Sequence, residues 1–173
     1  MAKRIFTTGG ITLTPTNAGS QATSGGYMHL LGTSTTQITD VLEAAISGMA
    51  TASAVCAAFL ARVSTLGTGG ASALAGNNSD GPMHPATAAL ASPVTVAVAY
   101  VTNQPIPSSS ITDAKISLGL NLFGGIFRWN AAPTQQWSMV GSALGPGTTI
   151  LWNNLAAGGA TGAADAHIIY ETY

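Results

Sequence analysis

The chain has 173 residues with five Lys or Arg and six Asp or Glu, a formal net charge of −1. Charged residues make up 6% of it, against about 25% in an ordinary soluble domain, and residues 5–39, 81–112 and 129–164 contain none. So little charge excludes a phosphate-neutralising surface and so nucleic-acid binding, and it argues for a subunit whose exterior is covered by other protein over a freely diffusing enzyme.

The first 21 residues alternate briefly at Ile11-Thr12-Leu13-Thr14, then break at Pro15, Asn17 and Gly19. They read as an N-terminal arm or edge strand packing on a neighbour. Lys3 and Arg4 are followed by Thr7-Thr8-Gly9-Gly10, where a secretory signal would place its apolar segment, so no export signal is expected. Residues 22–173 read as one domain.

Tyr27 to Thr33 is a short strand candidate. Ile38 to Ser47 is ambiguous: Asp40 would cap a helix, but Ile38, Leu42 and Ile46 also share one face of a strand. Ser53 to Thr65 behaves likewise, with Val55, Ala57, Phe59, Ala61 and Val63 on one face and Cys56, Ala58, Leu60 and Arg62 on the other. Two strands joined as a hairpin through Gly48 to Thr51 are favoured over one helix, mainly because the rest of the chain reads as all-β, and also because a helix would have to hold Gly48, Thr51, Ser53 and Val55. Ala44 to Ala61 is long enough to span a bilayer but too poor in Leu, Ile and Phe, and no membrane partner is expected.

Leu66 to Ala88 reads as a long loop without regular elements, from its Gly, Asn and Pro content. Val94 to Val101 is the clearest strand. Gln104 to Ser110 reads as a linker. Ile116, Leu118, Leu120 and Leu122 alternate with small or polar residues, a strand with one buried face. Gly124-Gly125 bends the chain before Ile126 to Trp129, and Ala132 to Gln135 is a turn. Trp137 to Val140, Thr148 to Asn153 and His167 to Thr172 complete the set. About eight to ten short strands at this rhythm predict an all-β, single-domain β-sandwich or jelly roll.

Little in the chain carries chemistry. His29, His84 and His167 sit on different segments with no acidic or Cys partner at ligand spacing, so they read as loop or strand histidines, and only a cluster in space with Asp80 or Asp165 would change that. Asn77-Asn78-Ser79-Asp80-Gly81 is oxygen-rich but holds one carboxylate, too few for calcium. Cys56 reads as a small buried apolar residue, fitting a reducing compartment. No catalytic residue, metal or cofactor is expected. Arg128, bracketed by Phe127 and Trp129, reads as one half of a structural pair with Glu171 or Asp113, or as stacking on Trp129 or Trp137. Trp129, Trp137 and Trp152 with Tyr27, Tyr100, Tyr170 and Tyr173 read as core first, interface anchors second and a sugar-stacking platform last.

The segment Gly125-Ile126-Phe127-Arg128-Trp129-Asn130-Ala131-Ala132-Pro133, the closing His167-Ile168-Ile169-Tyr170-Glu171 and, more loosely, Gly48 to Val55 resemble small β-rich virion proteins of tailed phages and prophages. The resemblance covers the last 50 or so residues well, carries no catalytic signature, and implies strands at Ile38 to Ser47 and Ala54 to Ser64. It implies a structural virion protein, assembled in the host cytoplasm. The role expected first is a capsid decoration protein that binds and clamps the major capsid protein lattice as a homo-oligomer, most simply a trimer. The alternative is a tail or fibre β-protein that binds host glycans. Contacts are expected from the arm at Ile5, Phe6, Ile11 and Leu13, from the loop at Asn77, Asn78 and Met83, and from Trp137, Trp152 and Tyr173.

Overall fold

The computed structural model describes residues 4–13, 26–32, 36, 38–53, 55–65, 71–72, 81–82, 94–98, 106–111, 114–135, 137–140, 147–154 and 164–173, with no helix among them. Over the described residues the protein is all-β. Its strands are β1 (Arg4–Leu13), β2 (Gly26–Gly32), β3 (Ile38–Met49), β4 (Val55–Thr65), β5 (Ala71–Ser72), β6 (Gly81–Pro82) and β7 (Val94–Val98). They continue as β8 (Ile106–Ile111), β9 (Ala114–Asn121), β10 (Phe123–Asn130), β11 (Trp137–Val140), β12 (Gly147–Asn154) and β13 (Ala164–Thr172).

All pairings among the described residues are antiparallel. One sheet runs β10-β3-β13-β1-β6, with β11 also on β3; the other runs β5-β7-β2-β12-β4-β8, with β9 also on β4. The period-two pattern of β13 explains its place. Ala164, Ala166, Ile168 and Tyr170 are buried while Asp165, His167 and Ile169 between them are partly open. β3 presents Val41, Ala44 and Ile46 to the same interior. The register shift opposite Ile169 and Tyr170 leaves Leu42 as the extra residue of a bulge.

One apolar core joins the sheets. Phe6, Val41, Ala44, Ile46, Phe127, Trp137, Ile168 and Tyr170 come from the first, and Leu30, Leu60 and Leu120 from the second. Each such large side chain contributes about 1.5–3 kcal/mol when fully buried. The rings of Phe6 and Tyr170, cross-strand neighbours, stack with centroids 5.5 Å apart.

Two segments cross between the sheets side by side. Residues 50–53 lead away from β3 towards β4, and Leu122 leads from β9 to β10. Because β3 pairs with β10 and β4 with β9, the crossings are themselves neighbours. The Ala50 N–H donates to the Leu122 carbonyl at 2.9 Å, and the Asn121 side-chain amide donates to Ser53 Oγ at 2.8 Å. The backbones approach so closely that a Cβ on Gly48 would lie 2.2 Å from the Leu122 oxygen, and one on Gly125 2.1 Å from the Asn121 oxygen. Only glycine fits either position.

Several expectations change. Residues 38–49 and 55–65 are strands, but they lie in different sheets, so they form a crossing and not a hairpin. Ala44 to Ala61 is divided between those strands, and among the described residues no helix is long and apolar enough to cross a membrane. Residues 106–111, read as linker, form β8, and the long loop contributes β5 and β6 to the sheets. Residues 4–13, read as part of an arm or edge strand, form β1, which pairs with β13 from Arg4 to Leu13 and with the short β6 at Phe6 and Thr7.

Candidate functional site

The face of the first sheet turned away from the core carries the polar side chains. Arg128 on β10, Ala45 on β3, His167 on β13 and Gly9 on β1 lie in one row across four strands. Asn130, Glu43, Ile169 and Thr7 form the next. Ala45 is small, which leaves room for Glu43 to reach diagonally to both flanking strands. The Arg128 guanidinium donates from Nε to Glu43 Oε1 at 3.0 Å and from Nη2 to Oε2 at 2.8 Å. His167 Nε2 lies 2.7 Å from Glu43 Oε1.

The Glu43 side chain is 13% exposed, that of Arg128 60% and that of His167 44%. The Arg128 hydrogen bonds hold the Glu43 carboxyl below its ordinary value; its partial burial pushes back, and His167 adds to the lowering. In return Glu43 holds the Arg128 guanidinium above its ordinary value. This bidentate geometry fixes three strands against one another and leaves little net charge on the face. Both carboxylate oxygens of Glu43 are engaged in this cluster.

Beyond this row the two ends of the face differ. Towards the chain terminus, Asp40 and Glu171 are cross-strand neighbours and both are buried, and the Tyr173 hydroxyl donates to Asp40 Oδ2 at 3.1 Å. Asp40 Oδ1 has no hydrogen-bond partner. Towards the crossing, Phe123 faces Met49 across the strands and Ile126 faces Ser47. Here Phe123 is 62% exposed, Ile126 72% and Met49 49%. Three large apolar side chains thus lie open together at this end of the face. Beside them, β10 ends in Ala131 to Gln135, where the Gln135 N–H donates to the Ala132 carbonyl at 2.9 Å and Thr134 adopts φ 72°. That is a type II turn with a β-branched residue in the position that favours glycine.

The residues expected at contacts fall out unevenly. Ile5 is exposed on β1 and Tyr173 is partly buried against Asp40. Phe6 and Trp137 belong to the core, at 1% and 8% exposure, and so are not available as surface anchors. Ile11, Leu13 and Trp152 lie on β1 and β12, where only the backbone is described, and Asn77, Asn78 and Met83 lie outside the described residues. The pair expected of Arg128 exists, but with Glu43 instead of Glu171 or Asp113. His167 meets Glu43, and Asp80, His29 and His84 of the cluster considered have no described side chains. Of the rings considered for sugar stacking, Trp137 and Tyr170 are core and Trp129 packs against it. Sequence reasoning missed Phe123, Met49 and Ile126 as an exposed group; the clue was three large apolar residues beside Gly48 and Gly124-Gly125. Among the described residues no three His, Cys, Asp or Glu come together as a metal-binding group.

A scan against protein-family models finds no match, and no curated protein matches the sequence.

Proposed function

We propose that this chain is a structural subunit of a phage virion, an accessory protein that binds the major capsid lattice and strengthens it through buried interfaces. Its fold on this reading is a β-sandwich of jelly-roll type, the two side-by-side crossings being its folded corner. The observation that carries the proposal is the open apolar group of Phe123, Met49 and Ile126 on a chain that holds so little charge. A surface of that kind gains stability when covered by protein, and neutral Ser, Thr and Gly around it cost little to desolvate compared with ions. The resemblance of residues 125–133 and 167–171 to small virion proteins supplies the context. Homo-oligomers, most simply trimers, would place several copies of the patch on neighbouring shell subunits.

The glycan-binding alternative needs aromatic rings in an open groove, and Trp137 and Tyr170 are committed to the core. The deciding experiment is to mix the purified protein with phage heads that lack accessory proteins and to sediment them. Stoichiometric co-sedimentation, lost in a Phe123→Ser/Ile126→Ser variant that stays folded, is expected. Failure of the unaltered protein to bind shells, together with its detection in tails by mass spectrometry, would overturn the capsid role.

A further inference from the structure

We infer that β10 pairs edge to edge with β10 of a second copy, antiparallel, about a two-fold axis passing at Arg128. The inference rests on the reading of the chain as an assembly subunit and names a contact separate from that of a trimer, since a two-fold axis joins chains only in pairs.

The backbone sets the geometry. The Ala131 N–H donates to the Leu42 carbonyl at 2.8 Å. Successive residues of an antiparallel strand direct their main-chain groups to alternate sides. With Trp129 facing Ala44 and Phe127 facing Ile46, those two bond to β3. The N–H and C=O groups of Ile126, Arg128 and Asn130 therefore point away from it. Among the described residues no strand pairs with that side of β10. An open edge of this kind is a template for another strand.

The occupant follows from the symmetry of what is displayed. Three outward-pointing residues at equal spacing are self-complementary about the middle one. Arg128 would face Arg128 of the second copy, and Ile126 would face its Asn130, giving roughly six main-chain hydrogen bonds. Continued outward, the same register sets Gly125 and Gly124 against Ala131 and Ala132 of the second copy, small residue against small residue, and exposed Phe123 against its exposed Pro133. A cation at the centre of an edge strand ordinarily repels a second copy. Here each Arg128 is held bidentate by Glu43 of its own chain, so the groups that approach at the axis are ion pairs with no net charge. A partner of strong charge gains nothing at such an edge. The Gly124 bulge, at φ 78°, and the turn at 131–135 confine the regular pairing to residues 126–130.

The register is tested by cross-linking. In a Cys56→Ala background, Ile126→Cys and Asn130→Cys proteins are prepared separately, oxidised alone and oxidised as a mixture. Disulfide dimers are expected in the mixture and not in either protein alone, because the axis at Arg128 brings residue 126 to residue 130 and keeps like positions apart. Dimers of either protein alone would overturn the register, and no dimers in any arm would overturn the contact.

Ile126→Pro gives an independent reading, since it removes an N–H that β3 does not use. Two hydrogen bonds are lost per dimer, so the dissociation constant by sedimentation should rise roughly 30-fold with thermal stability little changed. An unchanged constant, or an unaltered protein that is monomeric at every concentration, would overturn the inference. Shell co-sedimentation separates this from the reading above: a protein that binds heads but does not cross-link loses only the β10 contact. One in which Ile126→Pro abolishes head binding without any self-association assigns the edge to a strand of the shell protein instead.

Discussion

The face of the first sheet that carries Glu43 is satisfied along its middle and open at one end. At Glu43, a carboxylate takes two hydrogen bonds from Arg128 and meets His167, tying β10, β3 and β13 together. A few residues along the same strands, Met49, Phe123 and Ile126 stand in solvent without cover. The difference teaches how this chain divides its labour. Among the described residues the Glu43–Arg128 pair is spent on fixing strand to strand, and what stays uncovered is apolar side chain and a β10 edge that no described strand pairs with.

The strongest way to break that division is at the crossing which holds the open end in place. Gly48→Ala would drive a methyl into the Leu122 carbonyl and displace both crossing segments. A loss of about 3 kcal/mol or more is expected, as for other severe overpacking, measured by chemical denaturation. A variant as stable as the parent would mean that the close approach of the two segments does not exist.

The satisfied middle is broken with Glu43→Gln. The folded state holds the Glu43 carboxyl below its ordinary value of 4.5, chiefly through Arg128. A carboxyl lowered on folding contributes stability above its unfolded value, and that contribution is lost as pH falls through the folded value. The melting temperature of the parent should therefore drop as pH falls from about 4.5 downward, over and above the effect of other acids. In Glu43→Gln that part of the slope should vanish, and the variant should be less stable at neutral pH. Because Arg128 is well exposed, the difference should shrink in high salt. Parallel pH profiles for the two proteins would contradict the geometry.

What sequence could and could not reach follows the same divide. The alternation of residues 94–98, 116–121 and 167–172 is a local signal, and strands stand there. β1 was legible only at Ile11 to Leu13; Thr7-Thr8-Gly9-Gly10 has no strand pattern of its own and is ordered by pairing with β13. Residues 106–111 were hidden by Pro105 and Pro107, which suit an edge strand as well as a linker. Residues 38–65 read as strands but not as a crossing, since a short connection suits a hairpin or a change of sheet equally. The Glu43 cluster joins residues 85 and 124 positions apart, far beyond any spacing rule. Arg128 alone announced that a partner was needed, because a cation between Phe127 and Trp129 on a strand demands one.

A smaller effect lies in the turn next to the open edge. Thr134 holds φ 72° with a branched side chain, a conformation costing about 1–2 kcal/mol. Thr134→Gly removes that strain but adds freedom to the unfolded chain. The net gain should be about 0.5–1 kcal/mol. Thermal unfolding at fixed pH would show it, and a destabilised variant would mean that the threonine side chain makes a contact worth more than the strain.

The smallest change in stability is expected where the largest change in behaviour should appear. Phe123→Ser removes a side chain that is 62% exposed and touches little of its own fold. Stability should stay within about 0.5 kcal/mol of the parent, the usual range for surface positions. Association should not stay constant, because the ring is part of the apolar group left open beside the β10 edge. Sedimentation velocity over a range of concentrations, run beside a denaturation curve, separates the two quantities. A variant that loses stability with its association would show that Phe123 is covered within its own chain, and the contrast between a satisfied middle and an open end would fail. A variant of unchanged stability that no longer associates assigns the side chain to an interface, because burial is worth nothing to the fold where the fold does not provide it.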